Sequence, residues 1–252
     1  MIKRILVAVG SEEYQHNAFD YAGHLAVFLD AHLSCVYFRG AGEEQHEDFS
    51  RELLDRTAAE CDEFGLKYDV ELVIGKPAEM ILEKARTADL FVIGISESIK
   101  TQGLKLVYDQ IDDILLKITK PTIVVHEECT VLSKILIAHR GDHHSDRALE
   151  MATEFGERAK ATLLGLAIGE TRTEASRITK NMQEYLRYHD VKTEFLTELG
   201  YTVRNVLETA EEHDCDLIAI GASPRGKLYE MIFQTTAESV VKLSNRAVLV
   251  CR

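Results

Sequence analysis

Short runs of consecutive apolar residues alternate along the chain with longer segments whose apolar positions recur every three or four residues. ILVAV, LSCVYF, YDVELVI, DLFVIG and PTIVVH are rich in β-branched residues and nearly unbroken in hydrophobicity, the pattern of strands covered on both faces. Between them, Ala18, Tyr21, Ala22, Leu25 and Leu29, then Leu53, Leu54, Ala58 and Cys61, then Met80, Ile81, Lys84 and Ala85 keep helical spacing. Strand alternating with helix predicts parallel strands joined by right-handed crossovers. In such open sheets ligands sit outside the carboxyl ends of the strands, where the strand order reverses.

The pattern is written twice. KRILVAV (Lys3 to Val9) returns as SKILIAH (Ser133 to His139), and the same offset of 130 carries the segment Ala18 to Leu33 onto Ala148 to Leu163 without a gap. The identities fall at apolar or small positions: Ile5 on Ile135, Leu6 on Leu136, Ala8 on Ala138, Ala18 on Ala148, Ala22 on Ala152, Ala31 on Ala161 and Leu33 on Leu163. Further on, GKPAEMILEKA meets GYTVRNVLETA, DLFVIG meets DLIAIG, and PTIVV meets AVLVC. Such self-similarity predicts two homologous domains, residues 1–128 and 129–252, joined by the short segment His126 to Ser133 and expected to pack together.

A chain of 252 residues accommodates two such domains, and its 46% apolar and 28% charged residues are those of a folded globular protein. The net charge of −13 argues against nucleic acid and against a membrane surface as partner. No apolar run approaches the roughly 20 residues of a spanning helix, so MIKRILVAVG reads as a buried first strand rather than a leader. Cys35, Cys61, Cys129, Cys215 and Cys251 are odd in number, scattered and without a C-x-x-C pair. They read as reduced thiols of a cytoplasmic protein, not as disulfides or a zinc site.

The first strand ILVAV, a helix of the type A-x-x-Y-A-x-x-L-A, the segment G-x-P-A-x-x-I-L-x-x-A, a strand ending V-I-G and a closing P-T-I-V-V together resemble the universal stress protein family, once per half. The resemblance implies two tandem α/β domains, each an open five-stranded parallel sheet with helices on both faces, of the adenine nucleotide alpha hydrolase-like kind. It also implies that the last strands, PTIVV and AVLVC, lie side by side about a pseudo-two-fold axis. The chain would then be its own pseudo-dimer, with a homodimer of tandem chains as a further expectation.

Members of that family that bind ATP carry G-x-x-G, nine residues, then G-[ST] after the fourth strand. Glycines let backbone N–H groups approach phosphate oxygens, and the hydroxyl residue opens a helix whose N-terminus favours anions. In the second half, Gly221 and Thr235 keep their places while Pro224 and Gln234 replace glycines. Ser223, Arg225, Gly226, Lys227 and Thr236 stand close by. In the first half, Asp109, Asp112 and Asp113 fall at or just beyond the hydroxyl position, where carboxylates satisfy the helix dipole and repel a polyphosphate. The family also places an Asp after the first strand; the first half has none at that turn, and Arg140 takes its place in the second, to contact a phosphate, stack on a base, or serve as a surface arginine. ATP, if bound, is therefore expected in the second domain alone, at Ala138, His139, Arg140, Ile220, Gly221, Ser223, Arg225, Gly226, Thr235 and Thr236.

Asp142, His143, His144 and Asp146 invite a metal reading, but adjacent side chains seldom point at one ion, and a solvated loop in which Ser145 or Asp146 caps the following helix is preferred. No G-x-S-x-G, H-E-x-x-H, GxxxxGK[ST] or G-x-G-x-x-G occurs, so no enzyme is expected. Three functions remain: a stress-response protein acting by binding a small molecule or adenine nucleotide, a ligand-free interaction protein, and a slow ATP hydrolase.

Overall fold

The computed structural model describes residues 1–40, 47–95, 114–115, 117–126, 132–200, 203–222 and 236–252. The chain divides into two compact units, Met1–Thr130 and Val131–Arg252. In the first, β1 (Arg4–Val9), β2 (His32–Arg39), β3 (Lys67–Ile74), β4 (Leu90–Gly94) and β5 (Thr122–Val125) form a parallel sheet in the order β3-β2-β1-β4-β5. In the second, β6 (Lys134–His139), β7 (Thr162–Gly169), β8 (Lys192–Leu199), β9 (Leu217–Gly221) and β10 (Ala247–Cys251) repeat the order as β8-β7-β6-β9-β10. The order reverses between the first and fourth strands of each unit, which places the switch points at the carboxyl ends of β1 and β4 and of β6 and β9.

The helices described are α1 (Glu13–Leu29), α2 (Glu47–Glu63) and α3 (Pro77–Ala85) in the first unit, and α4 (His143–Ala159), α5 (Arg172–Leu186), α6 (Val203–Glu212) and α7 (Thr236–Leu243) in the second. They cover both faces. Cys35 of β2 meets Cys61 of α2, whereas Glu71, which registers with the next residue, Val36, pairs with Lys84 of α3. Successive strand residues point to opposite faces, so α2 and α3 lie on opposite sides of the sheet.

The core follows the apolar runs. β4, β5, β9 and β10 are buried at every residue, and Ile5, Val7, Leu33, Phe91, Ile123, Leu163, Ile218 and Leu249 reach no solvent. The outer strands depart from that pattern. YDVELVI reads as a strand covered on both faces, yet β3 is an edge strand with no buried residue and Ile74 is 54% exposed. Its neighbour on one side is β2 and on the other nothing within the unit. The buried stripe of α2 is also rotated by about one position from the expected one, to Ser50, Leu53, Thr57 and Cys61.

Repeated residues have repeated duties. The aspartate that opens DLFVIG accepts hydrogen bonds at Asp89 Oδ2 from the Lys3 and Arg4 N–H groups, at 2.8 and 3.0 Å. Its counterpart Asp216 accepts from the Ser133 N–H, the Ser133 hydroxyl and the Lys134 N–H, at 2.7, 2.8 and 2.8 Å. Each carboxylate ties the start of the first strand to the start of the fourth. Helices α1 and α4 likewise both stop at a left-handed residue, Asp30 (φ 51°) and Lys160 (φ 59°).

Candidate functional site

Ala138 and Ile220 are register partners on β6 and β9, so His139 and Gly221, one residue on, stand side by side at the carboxyl end of the second sheet. Four of the sequence-predicted site residues therefore converge at the switch point. Arg140 follows them directly, and Thr236 opens α7. Ser223, Arg225, Gly226 and Thr235 lie outside the described residues, as do Pro224, Lys227 and Gln234 and, in the first unit, Asp109, Asp112 and Asp113.

The turn after β6 is held by a polar network. Asp142, in extended conformation, is the N-cap of α4: its Oδ1 accepts from the Ser145 N–H and the Ser145 hydroxyl, both at 2.9 Å. The expected cap, Ser145 or Asp146, is thereby corrected to Asp142, because only a residue before the first helical position has the backbone geometry to reach a free N–H three residues on. Burial pushes the Asp142 carboxyl up, but the Ser145 N–H, the Ser145 hydroxyl and the Arg140 guanidinium outweigh it and hold the group below its usual range. Arg140 is half-buried, with Nε paired to Asp142 Oδ2 and its own N–H donating to Ser145 Oγ at 3.3 Å. It is no free surface arginine.

His139 is buried, 3% exposed. Its Nδ1 accepts the Gly141 N–H at 3.0 Å, which puts the ring proton on Nε2, donating to Asp146 Oδ1 at 3.1 Å. Burial pulls its pKa below the ordinary 6.5, against the partial opposition of Asp146 and Asp142. The neighbouring His144 is buried too, its ring against that of His143 with centroids 3.7 Å apart. The segment is thus the capped first turn of a helix, with His144 and Ser145 buried and His143 and Asp146 exposed, and no cluster of three metal-ligating side chains occurs among the described residues.

Gly221 has a structural reason to be glycine. A Cβ there would lie 2.5 Å from both the carbonyl carbon of His144 and the N of Ser145, so the end of β9 touches the backbone of α4 directly. Gly94 repeats the contact in the first unit, where a Cβ would come within 1.9 Å of the Tyr14 carbonyl oxygen. The glycine that matches the first place of the phosphate motif is required by helix packing in both units.

The two mouths differ in a way that escaped the sequence reading. Gln15, buried in the first turn of α1, donates its N–H to the Glu12 carbonyl at 2.9 Å and accepts the Glu12 N–H on Oε1 at 3.1 Å. Its amide fills the space above Gly10, where an added Cβ would meet Oε1 at 1.9 Å. At the 130-residue offset, Gln15 becomes Ser145 and Gly10 becomes Arg140. In the first unit an amide side chain fills the turn after β1, and in the second the turn after β6 carries a short hydroxyl and an arginine. That signal was available in the offset alignment.

Two open cavities lined by described residues lie elsewhere. One, of about 280 Å³, is bounded by Leu82, Arg86, Lys117, Ile118 and Lys120, at the amino ends of β4 and β5. The other, of about 380 Å³, lies between Arg172 at the start of α5 and Leu199 at the end of β8, two strands from β6.

Two tandem five-stranded parallel α/β units with paired switch points define the class. The family model described as "Universal stress protein family" matches residues 1–126 and again 132–252, and the chain belongs to that family. A universal stress protein from Archaeoglobus fulgidus has the same fold at 17% identity, with a TM-score of 0.82 over 99% of this chain and 96% of that one. A functionally unknown protein from Pseudomonas aeruginosa (19%, TM-score 0.75, 99% and 92%) and a universal stress protein described as putative from the same species (19%, 0.74, 99% and 93%) share it as well. A search of curated proteins finds no match.

Proposed function

We propose that the chain is a stress-response protein that acts by binding, without catalytic turnover, and that its ligand is ATP or another adenine nucleotide held at the carboxyl end of β6 and β9 in the second unit alone. The observation that carries this reading is the contrast between the mouths: Gln15 fills the space over Gly10, while Ser145 leaves the corresponding position to Arg140. Arg140 supplies a cation at a switch point, and Thr236 supplies a hydroxyl at the first turn of a helix, the two features a phosphate requires.

The test is calorimetric titration of ATP with magnesium into the purified chain, its Ser145→Gln variant and its Gln15→Ser variant. Ser145→Gln reproduces in the second mouth the side chain that closes the first. Saturable binding of about one nucleotide per chain, lost in Ser145→Gln and kept in Gln15→Ser, supports the reading. Gly221→Asp is unsuited to this purpose, since its side chain would strike the backbone of α4.

A specific observation favours a second reading. Gly221 is explained by helix packing and Arg140 is already paired with Asp142, so both also suit a ligand-free interaction protein whose phosphate loop is an inherited connection. Absence of heat and of any thermal shift at millimolar ATP decides for that protein. Phosphate release that disappears in Thr235→Ala, with binding retained, would instead point to a slow hydrolase.

A further inference from the structure

Away from the ligand end, the first unit contains a buried pair that the second lacks. Cys35, within β2, and Cys61, in the last turn of α2, face one another with their Sγ atoms 3.9 Å apart, and neither side chain reaches solvent. At the 130-residue offset Cys35 becomes Gly165, which lies under Phe195 and Met182, and the facing helix α5 buries Ala175, Ile178, Met182 and Leu186. The pair therefore owes nothing to the repeated architecture.

The helix that carries Cys61 buries few apolar side chains. Of its four buried residues Ser50 and Thr57 are polar: Ser50 Oγ accepts from Arg39 Nη1 of β2 at 3.3 Å, and the Thr57 hydroxyl is spent on the Leu53 carbonyl of its own helix at 2.9 Å. Helix α2 ends at Glu63, just past Cys61, and the chain then turns at Gly65 with φ 66°, where an added Cβ would meet nothing within 4 Å. The Phe64, Gly65 and Leu66 N–H groups close this end on the Glu60, Asp62 and Cys61 carbonyls at 3.1, 3.0 and 3.0 Å, and Tyr68 donates its hydroxyl to Asp62 Oδ1 at 3.0 Å on the exposed side. Elements with few buried apolar contacts open locally at a small fraction of the global unfolding free energy, and opening of this last turn is the route by which a small oxidant would reach the sulfurs.

We infer that Cys35 and Cys61 form a modification site: hydrogen peroxide converts them to a reversible disulfide that fastens α2 to β2. In the first step the Cys61 sulfur attacks one peroxide oxygen, the O–O bond breaks, and Cys61 leaves as sulfenic acid with one water released. In the second, the Cys35 sulfur attacks Cys61 Sγ, the S–O bond breaks, and the Cys35 proton leaves with the hydroxide as a second water. The two thiols lose two hydrogens and two electrons, and the peroxide is reduced to two waters. The order of attack follows from the shared hydrogen bond. With Cys35 as donor, that bond first and burial second keep Cys35 protonated, while the same bond draws Cys61 toward the thiolate, the reactive form. The inference is independent of whether the second unit binds a nucleotide.

The experiment treats the folded, reduced full-length chain with hydrogen peroxide, then maps cysteines by mass spectrometry after alkylation, before and after dithiothreitol. The same chain unfolded in urea reports the intrinsic thiol reactivity. The expected result is a peptide pair linked through Cys35 and Cys61, loss of their thiol hydrogens, full reversal by dithiothreitol, and slower hydrogen exchange in the last turns of α2. In Cys35→Ser, dimedone should label Cys61. In Cys61→Ser, Cys35 should stay reduced. Peroxide that leaves both thiols free to be alkylated on unfolding, or that links either one to Cys129, Cys215 or Cys251 instead, overturns the inference. The wild-type measurement decides by itself if a variant fails to fold.

Discussion

At Gly221 and Gly94 the decisive quantity is the distance from a missing atom. An alanine methyl would overlap the backbone of α4 or α1 at 2.5 and 1.9 Å, and a helix backbone yields only by moving the helix. Gly221→Ala and Gly94→Ala should each lose about 1–3 kcal/mol or more of stability, read as a lower urea midpoint at unchanged slope. A second residue-scale prediction concerns His139. An unfolded histidine titrates near 6.5 and buried His139 lies below it, so between those values the unfolded chain binds more protons. The stability His139 allows is therefore complete above about pH 6.5 and lost as the pH falls below it. The melting temperature should drop between pH 7.5 and 5.5, and by less in His139→Gln. Equal drops in both chains would show that other groups govern the acid limb. At this scale the sequence was legible as residue type but not as duty. Gly221 matched a phosphate motif, yet its closest neighbours are the backbone atoms of His144 and Ser145, which no spacing along the chain could reveal.

At the scale of elements, the strand and helix order was legible because buried parallel strands are written as continuous apolar runs and helices as a stripe. Edges were less so. β3 carries the same apolar run as an inner strand, but its position beyond β2 leaves it without buried residues. The paired aspartates illustrate what holds elements in order. Asp216 gathers two N–H groups and a hydroxyl at the start of β6, and Asp216→Ala should cost about 1–2 kcal/mol. Asp89→Ala should cost less, since Asp89 is exposed and gathers two. Thermal unfolding of the two variants, compared with wild type, checks the ranking, and a larger loss at Asp89 would contradict it.

At the scale of the whole molecule, duplication brought two copies of one scaffold and the copies diverged at their mouths. Gln15 stands against Ser145 and Gly10 against Arg140, and the proposed ligand end is the second copy. A ligand that binds only the folded state raises the melting temperature with the logarithm of its concentration above its dissociation constant. ATP with magnesium should therefore raise it in the wild-type chain and in Gln15→Ser, and leave Ser145→Gln unmoved. An equal rise in all three would place the ligand elsewhere.

From the sequence alone came the α/β class, the twofold repeat, the family and the choice of the second half as the better ligand candidate. Those properties are carried by periodicity and by matches between segments in a constant order, both of which are one-dimensional. Tertiary structure decided that Asp142 and not Ser145 caps α4, that Gly221 serves packing, that Gln15 fills the space over Gly10, and that Cys35 and Cys61 meet. Each of these depends on which atoms of distant or adjacent turns come within about 4 Å, the reach of a hydrogen bond or a contact. That proximity exists only once the strands have taken their places in the sheet.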